Sequence, residues 1–339
     1  MARKSDLSQS PAAFSLAESP PVASGRVRVA GGRIAAGRDA PAFTLDVPRH
    51  ADLPVLIAVP HGGRAYPDDL LARMRAPELC RLRLEDRYID CLGASVAEAT
   101  GAALLRAHAP RAMLDLNRAH SDIDWEMIEG PRLGRTAASA AATASAPAPN
   151  HRARSGLGLI PRRLPGHGEI WRGRLPRAEL DRRIDEVHQP YHAALGDHLR
   201  KVRDAWGAAL LIDLHSMPPL PVHNAHTPAP VMVLGDRFGA SCHHALVSRG
   251  LAFFAAEGVP AAQNRPYSGG YVLDRHGAPA AGIHALQIEV CRSLYLDADF
   301  AELTHAAADI AALIARLVIE LGRETAALGQ ARSLLEAAE

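Results

Sequence analysis

No two cysteines stand in a pattern that could clip a fold or hold a metal. The four present, Cys80, Cys91, Cys242 and Cys291, are scattered and form no CxxC pair, which argues against a disulfide framework or a thiolate zinc site and fits a reducing cytoplasm. An excess of one charge is missing too. The chain has 38 Lys and Arg against 37 Asp and Glu, a formal charge of +1, so it carries no global field to draw in nucleic acid or an anionic membrane. No segment approaches the ~20 apolar residues of a membrane span. The opening MARKSDLSQSPAAFSLAESPP lacks the apolar core of a signal peptide. Insertion and secretion are therefore not expected, no internal repeat is visible, and a small molecule becomes the expected partner.

What is present is enough to bury a full core: 339 residues, 48% of them hydrophobic. Residues 1–40, rich in Ser, Pro, Ala and Gly without periodicity, read as a loosely held arm. Residues 41–330 read as a single catalytic domain. It is interrupted at about 131–153 by a mobile surface insertion built around TAASAAATASAPAPN, where Pro147 and Pro149 would end any Ala-rich helix. Short apolar runs alternate with longer amphipathic ones, the pattern of an α/β fold with a mixed, mostly parallel sheet flanked by helices. The spacing predicts strands at Val55 to Val59, Ala112 to Leu116, Ala209 to Leu214, Val231 to Leu234 and His284 to Val290. Helices are predicted at Asp86 to Thr100, Arg177 to Ala205, Gly239 to Glu257 and Asp299 to Gly322. In such sheets ligands bind beyond the carboxyl ends of the strands, so chemistry is sought there.

Several of those ends carry reactive groups. VLIAVPHGGRAYP delivers His61 off an apolar strand, with Gly62 and Gly63 allowing close backbone approach; the residue is a candidate metal ligand or a turn histidine bonded locally. ALLIDLHSMPP repeats the device with His215, and Asp213 is available behind it as an orienting carboxylate. HALQIEV brings Glu289 near a third strand end, where a carboxylate without a partner would be costly; a buried ion pair with Arg292 or another arginine is the alternative. A catalytic zinc needs about three protein ligands, an open position and a carboxylate to take a proton. For the third ligand, LRLEDRYID offers Asp86 and Asp90 at i and i+4 at the start of a helix, hence on one face, with Glu85 off it; a solvated or capping role is the alternative. APRAMLDLNR groups Arg111, Asn117 and Arg118 around Asp115. This donor fork suits a substrate carboxylate and a developing oxyanion, unless Arg118 is salt-bridged to Asp115 or Asp122.

The segments PHGGRAYP, EDRYID, DLNR, GLGLIP, PYH, IDLHSMP, NRPYSGGYV and LQIEVCRSLYLD, in this order between Pro41 and Asp297, resemble the N-formylglutamate amidohydrolase family. The resemblance implies a zinc-carboxypeptidase-like (phosphorylase/hydrolase-like) fold, related also to aspartoacylase. It implies one zinc ion per chain on His61, Asp86 and His215, with Asp90 the alternative to Asp86, and Glu289 as general base. Arg111 would polarise the scissile carbonyl, Asn117 and Arg118 would hold the substrate carboxylate, and Arg265, Tyr267, Gly269 and Gly270 would line the pocket. One departure stands out: the related carboxypeptidases have a glutamate three residues after the first histidine, and this chain has Arg64. The implied activity is cytoplasmic hydrolysis of a small acidic N-acyl amino acid, N-formyl-L-glutamate, late in histidine degradation. The rivals are a deacylase or carboxypeptidase-like hydrolase with another substrate, and a non-catalytic, metal-stabilised anion-binding protein.

Overall fold

The structure is a computed structural model and describes residues 25–34, 40–130, 155–164, 166–222 and 228–336. The predicted insertion at 131–153 and most of the predicted arm lie outside these residues. Ten strands are described: β1 Arg26–Gly31, β2 Phe43–Pro48, β3 Val55–Val59, β4 Ala103–Ala107, β5 Arg163–Leu164, β6 Gly168–Glu169, β7 Ala209–Met217, β8 Met232–Gly235, β9 Ala261–Gln263 and β10 Ile283–Cys291. The helices are α1 Asp68–Arg73, α2 Pro77–Leu84, α3 Ile89–Thr100, α4 Arg177–Arg183, α5 Gln189–Trp206, α6 His244–Ala256, α7 Tyr271–His276 and α8 Ala306–Glu336. A π-helical turn, Ile184–His188, splices α4 to α5.

Eight strands form one sheet in the order β1-β2-β4-β3-β7-β10-β8-β9, and β5 pairs with β6 in a small ribbon. The central four, β4, β3, β7 and β10, run parallel, so their carboxyl ends emerge on one side. Both sheet faces are covered. Leu56, Ala58, Leu105 and Leu211 meet Leu180, Tyr191, Leu195 and Leu199 of α4 and α5. Ile57, Val59, Ile212 and Ile288 meet Val96, Leu246, Phe254, Leu317 and Leu321 of α3, α6 and α8 on the other face. Alternate residues of one strand thus enter two cores, which is why β3 is a continuous apolar run.

Five sequence expectations are corrected. Residues Arg26–Gly31 belong to the sheet as its edge strand and not to the arm. Arg28 reaches Asp46 of β2 at 2.6 Å, and Arg106 of β4 approaches the same carboxylate at 3.6 Å, so charges that break the apolar pattern of β2 and β4 are matched inside the fold. Ala112 to Leu116 is not a strand. The amides of Met113 and Leu114 bond back to the Pro110 carbonyl, so the buried side chains sit on a turn. The helix predicted from Asp86 begins at Ile89, because Tyr88 takes a left-handed φ of 57° and interrupts it; Asp86 and Asp90 therefore do not share a helical face. The predicted starts at Gly239 and Asp299 move to His244 and Ala306. Among the described residues no helix is long and apolar enough to cross a membrane.

Candidate active site

His61 stands just past β3, where Gly63 passes so close to the Ala109 carbonyl that no Cβ would fit. The backbone N–H of Asp86 donates to the His61 carbonyl at 3.1 Å, tying the α2–α3 junction to the end of β3. His215 and Asp213 lie two apart on β7 and so on one face; in the parallel register with β10 they oppose Glu289 and Gln287. Three strand ends and one helix junction thus meet at one point.

There, one ligand atom from each of His61, Asp86 and His215 lies within 4.8 Å of the others, all three residues being buried. Asp86 Oδ2 is 3.0 Å from His215 Nδ1 and 3.5 Å from His61 Nδ1. The far nitrogens are held from behind. His61 Nε2–H donates to Asp115 at 2.8 Å, and His215 Nε2–H donates to Asp213 at 2.9 Å. Each imidazole therefore turns Nδ1 inward and is oriented by a carboxylate, the arrangement that metal-binding histidines use. His61 Nδ1 is buried yet has no hydrogen-bond partner among the described residues. Burial works to lower the pKa of His215, but Asp213, Asp86 and Glu289 override it and hold the imidazolium well above its usual range. Burial would likewise raise Asp86, and His215 with His61 instead keep it well below the usual carboxylate range. The donor set thus calls for positive charge at its centre, offers an unsatisfied nitrogen there, and is compatible with a metal site.

Asp90 is elsewhere. Arg64 grips it with two bonds, 2.6 and 2.9 Å, and lies 4.8 Å over the ring of Tyr88. Arg64 thus neutralises the alternative carboxylate. Asp90→Asn is expected to leave the metal content intact while lowering stability by roughly 1–3 kcal/mol, the cost of leaving a donor poorly paired; denaturant unfolding and metal analysis of one preparation check both halves.

Glu289 faces the cluster from β10. Burial first, with Asp86 and Asp213 adding to it against His215 and Arg111, leaves its carboxyl pushed up to about 7. Gln287 Nε2–H donates to it at 2.8 Å. Arg292 does not pair with Glu289; its guanidinium turns to Asp86 at 3.2 Å and to the Glu85 carbonyl at 2.6 Å, bracing the α2–α3 junction. Arg111 Nε–H donates to Asp115 at 2.9 Å; burial works to lower its pKa, but Asp115, with Asp86 and Glu289, holds the guanidinium above its usual range.

Asn117 is more tied than its motif implies. Its Oδ1 accepts from Val272 N–H at 2.9 Å, while its Nδ2 has two long approaches, 3.5 Å each, to Gln287 Oε1 and to His215 Nε2. A Cβ on Gly270 would lie 2.5 Å from Asn117 Oδ1, so the Gly269–Gly270 segment, with Gly269 at φ +99°, packs directly on this amide. Arg118 donates to the carbonyls of Asn117 and Leu157 at 2.7 and 2.9 Å. Tyr267 is half-buried, and burial first and then Glu289 raise its phenol above the usual range. Arg265 is exposed and has no hydrogen-bond or ion-pair partner among the described residues. Sequence reasoning overlooked Gln287 and the backing role of Asp115. The signals were Gln287 two residues before Glu289 on the same strand face, and a carboxylate set in an apolar run.

The sequence matches the family described as N-formylglutamate amidohydrolase over residues 53–296. It is similar to the N-formylglutamate deformylase of Pseudomonas aeruginosa, with 32% identity over 265 residues that cover 75% of this chain and 89% of that protein. The N-formylglutamate deformylase of Pseudomonas putida is 30% identical over 246 residues, 72% of this chain and 82% of the relative. Among solved structures, the N-formylglutamate amidohydrolase of Ralstonia eutropha JMP134 aligns with a TM-score of 0.72 at 32% identity, covering 84% of this chain and 98% of that one.

Proposed function

The chain belongs to the N-formylglutamate amidohydrolase family, and we propose that it hydrolyses the formamide bond of N-formyl-L-glutamate to formate and L-glutamate, with one zinc ion held by His61, Asp86 and His215. The relatives' activity supplies the reaction. The observation that carries the chemistry is the meeting of these three side chains with Glu289 at the carboxyl ends of parallel strands. When bound, zinc supplies Lewis acidity that acidifies a water molecule and polarises the formyl oxygen.

The remaining steps belong to this chain's own residues. Glu289, with its elevated pKa, accepts a proton from the attacking water and returns it to the amine nitrogen as the C–N bond breaks. The water oxygen ends in formate, and the transferred proton ends on the amine of glutamate. Gln287 keeps the Glu289 carboxylate aimed during both transfers. Arg111, anchored by Asp115, offers its terminal N–H groups to the negative charge that develops on the formyl oxygen. The Nδ2 of Asn117 and the guanidinium of Arg118 receive a substrate carboxylate, Tyr267 and Gly269–Gly270 shape the pocket, and Arg265 stands at its exposed rim. We assign this activity to the cytoplasm and to the late part of histidine degradation.

Zinc-loaded protein is expected to favour N-formyl-L-glutamate over N-acetyl-L-glutamate by about 10–200-fold in kcat/KM, the range that one added methyl commands in a fitted pocket. Steady-state kinetics on both compounds, and on short peptides, check this. Equal turnover of the acetyl compound would make the enzyme a broader deacylase, and turnover of peptides alone would make it a peptidase.

A further inference from the structure

Behind the pocket wall stands a column of three histidines that the hydrolysis does not use. His188 ends the π-helical turn and His192 lies one helical turn further along α5, so both rings leave the same face. His188 Nε2 is 2.9 Å from the Arg118 carbonyl, and His192 Nε2 is 3.0 Å from the Leu116 carbonyl. A carbonyl only accepts, so each Nε2 carries the proton. His192 Nδ1 is then free to accept from His276 Nε2–H, 3.0 Å away at the end of α7. Tyr271, the first residue of α7, stacks on His188 with ring centroids 5.7 Å apart and 28° between planes.

These contacts converge on one residue. The two gripped carbonyls belong to Leu116 and Arg118, the neighbours of Asn117, and Asn117 Oδ1 in turn accepts from Val272 N–H in the first turn of α7. The column therefore holds Asn117 from behind while tying α7, which the same amide caps, to α5. Burial keeps the rings neutral: His188 is lowered to about 4, His276 to about 3, and His192 well below its usual range. Apolar side chains would fill the space without polar desolvation, whereas His188 keeps a buried Nδ1 with no partner among the described residues. π-helical turns such as the one that delivers His188 recur at functional sites.

We propose that His188 and His192, linked to His276, are positioning residues that fix the Leu116–Arg118 turn and the start of α7 in one register, and so aim the Asn117 amide at the substrate's carboxylate. The proposal rests on the reading of Asn117 as a substrate donor. His192→Phe keeps a ring but removes the donor, and His192→Gln restores an N–H. Zinc-loaded His192→Phe is expected to lose about 10–100-fold in kcat/KM for N-formyl-L-glutamate, mostly through KM, the scale of a slightly misplaced contact. His192→Gln should recover most of it. In Asn117→Ala the same change should add little, because both act on one contact. Amide exchange at Val272, read without substrate, should accelerate in His192→Phe relative to the β7 amides.

Unchanged kinetics in folded His192→Phe, full additivity with Asn117→Ala, or unchanged exchange at Val272 would each overturn the proposal. If the wild-type protein left N-formyl-L-glutamate intact while Val272 exchange accelerated in the variant, the clamp would stand and the assigned reaction would fall. Should His192→Phe not fold, His276→Leu, which removes only the far donor, is read by the same exchange measurement with the same two outcomes.

Discussion

His215→Ala is expected to leave purification without its zinc and without measurable hydrolysis, and Asp86→Ala to do the same. Both side chains present atoms to the cluster at which three donors lie within 4.8 Å, and two donors alone make a weak site. The backing carboxylates give the loss a scale. Removing a carboxylate hydrogen-bonded behind a ligand costs about 10–100-fold in metal affinity, so Asp213→Asn and Asp115→Asn should fall in that range, and removal of a ligand should exceed it. Asp115 carries a second expectation, since it also anchors Arg111 at 2.9 Å; its variant should lose turnover even when zinc is resupplied to saturation. Zinc content by elemental analysis and competition with a coloured chelator give the ranking. A His215→Ala protein holding one equivalent of zinc with normal turnover would remove His215 from the ligand set and the proposed mechanism with it.

The parts of this site that were legible in the sequence are those that one strand writes by itself. A parallel strand buried on both faces is an unbroken apolar run, so Val55–Val59 and most of β7 and β10 could be bounded, and the polar residues at or just past their ends stood out. What was not legible depends on partners distant in sequence. Asp46 and Arg106 look like interruptions until Arg28 is brought beside Asp46 by an edge strand. The choice between Asp86 and Asp90 turns on one local fact and one distant partner: the left-handed Tyr88, which no helical spacing reveals, and Arg64, which occupies Asp90 from 26 residues away. The same holds for Asn117. Its motif suggests a free donor, but Val272, 155 residues on, takes one end of the amide and leaves only Nδ2 for a ligand.

The second large effect expected is at Glu289. Glu289→Gln keeps the volume of the side chain and leaves an oxygen to accept from Gln287 Nε2–H, which now bonds Glu289 at 2.8 Å, so packing and zinc content should be unchanged. What disappears is basicity, and kcat should fall by roughly 10²–10⁴ with KM little altered, the usual worth of a positioned acid–base group. The pH dependence gives a sharper test. Burial is the leading cause that lifts the Glu289 carboxyl to about 7, and only its ionised form can accept a proton from water. Wild-type activity should therefore drop as pH falls through the pKa of this group. A zinc ion held by His61, Asp86 and His215 would add positive charge near the carboxylate, so in the loaded enzyme that limb should lie below pH about 7. In Glu289→Gln the residual rate should lose the limb, because no titrating base is left at that position. A variant with near-normal kcat, or one whose diminished rate kept the same acid limb, would assign the proton transfer to another group facing the cluster.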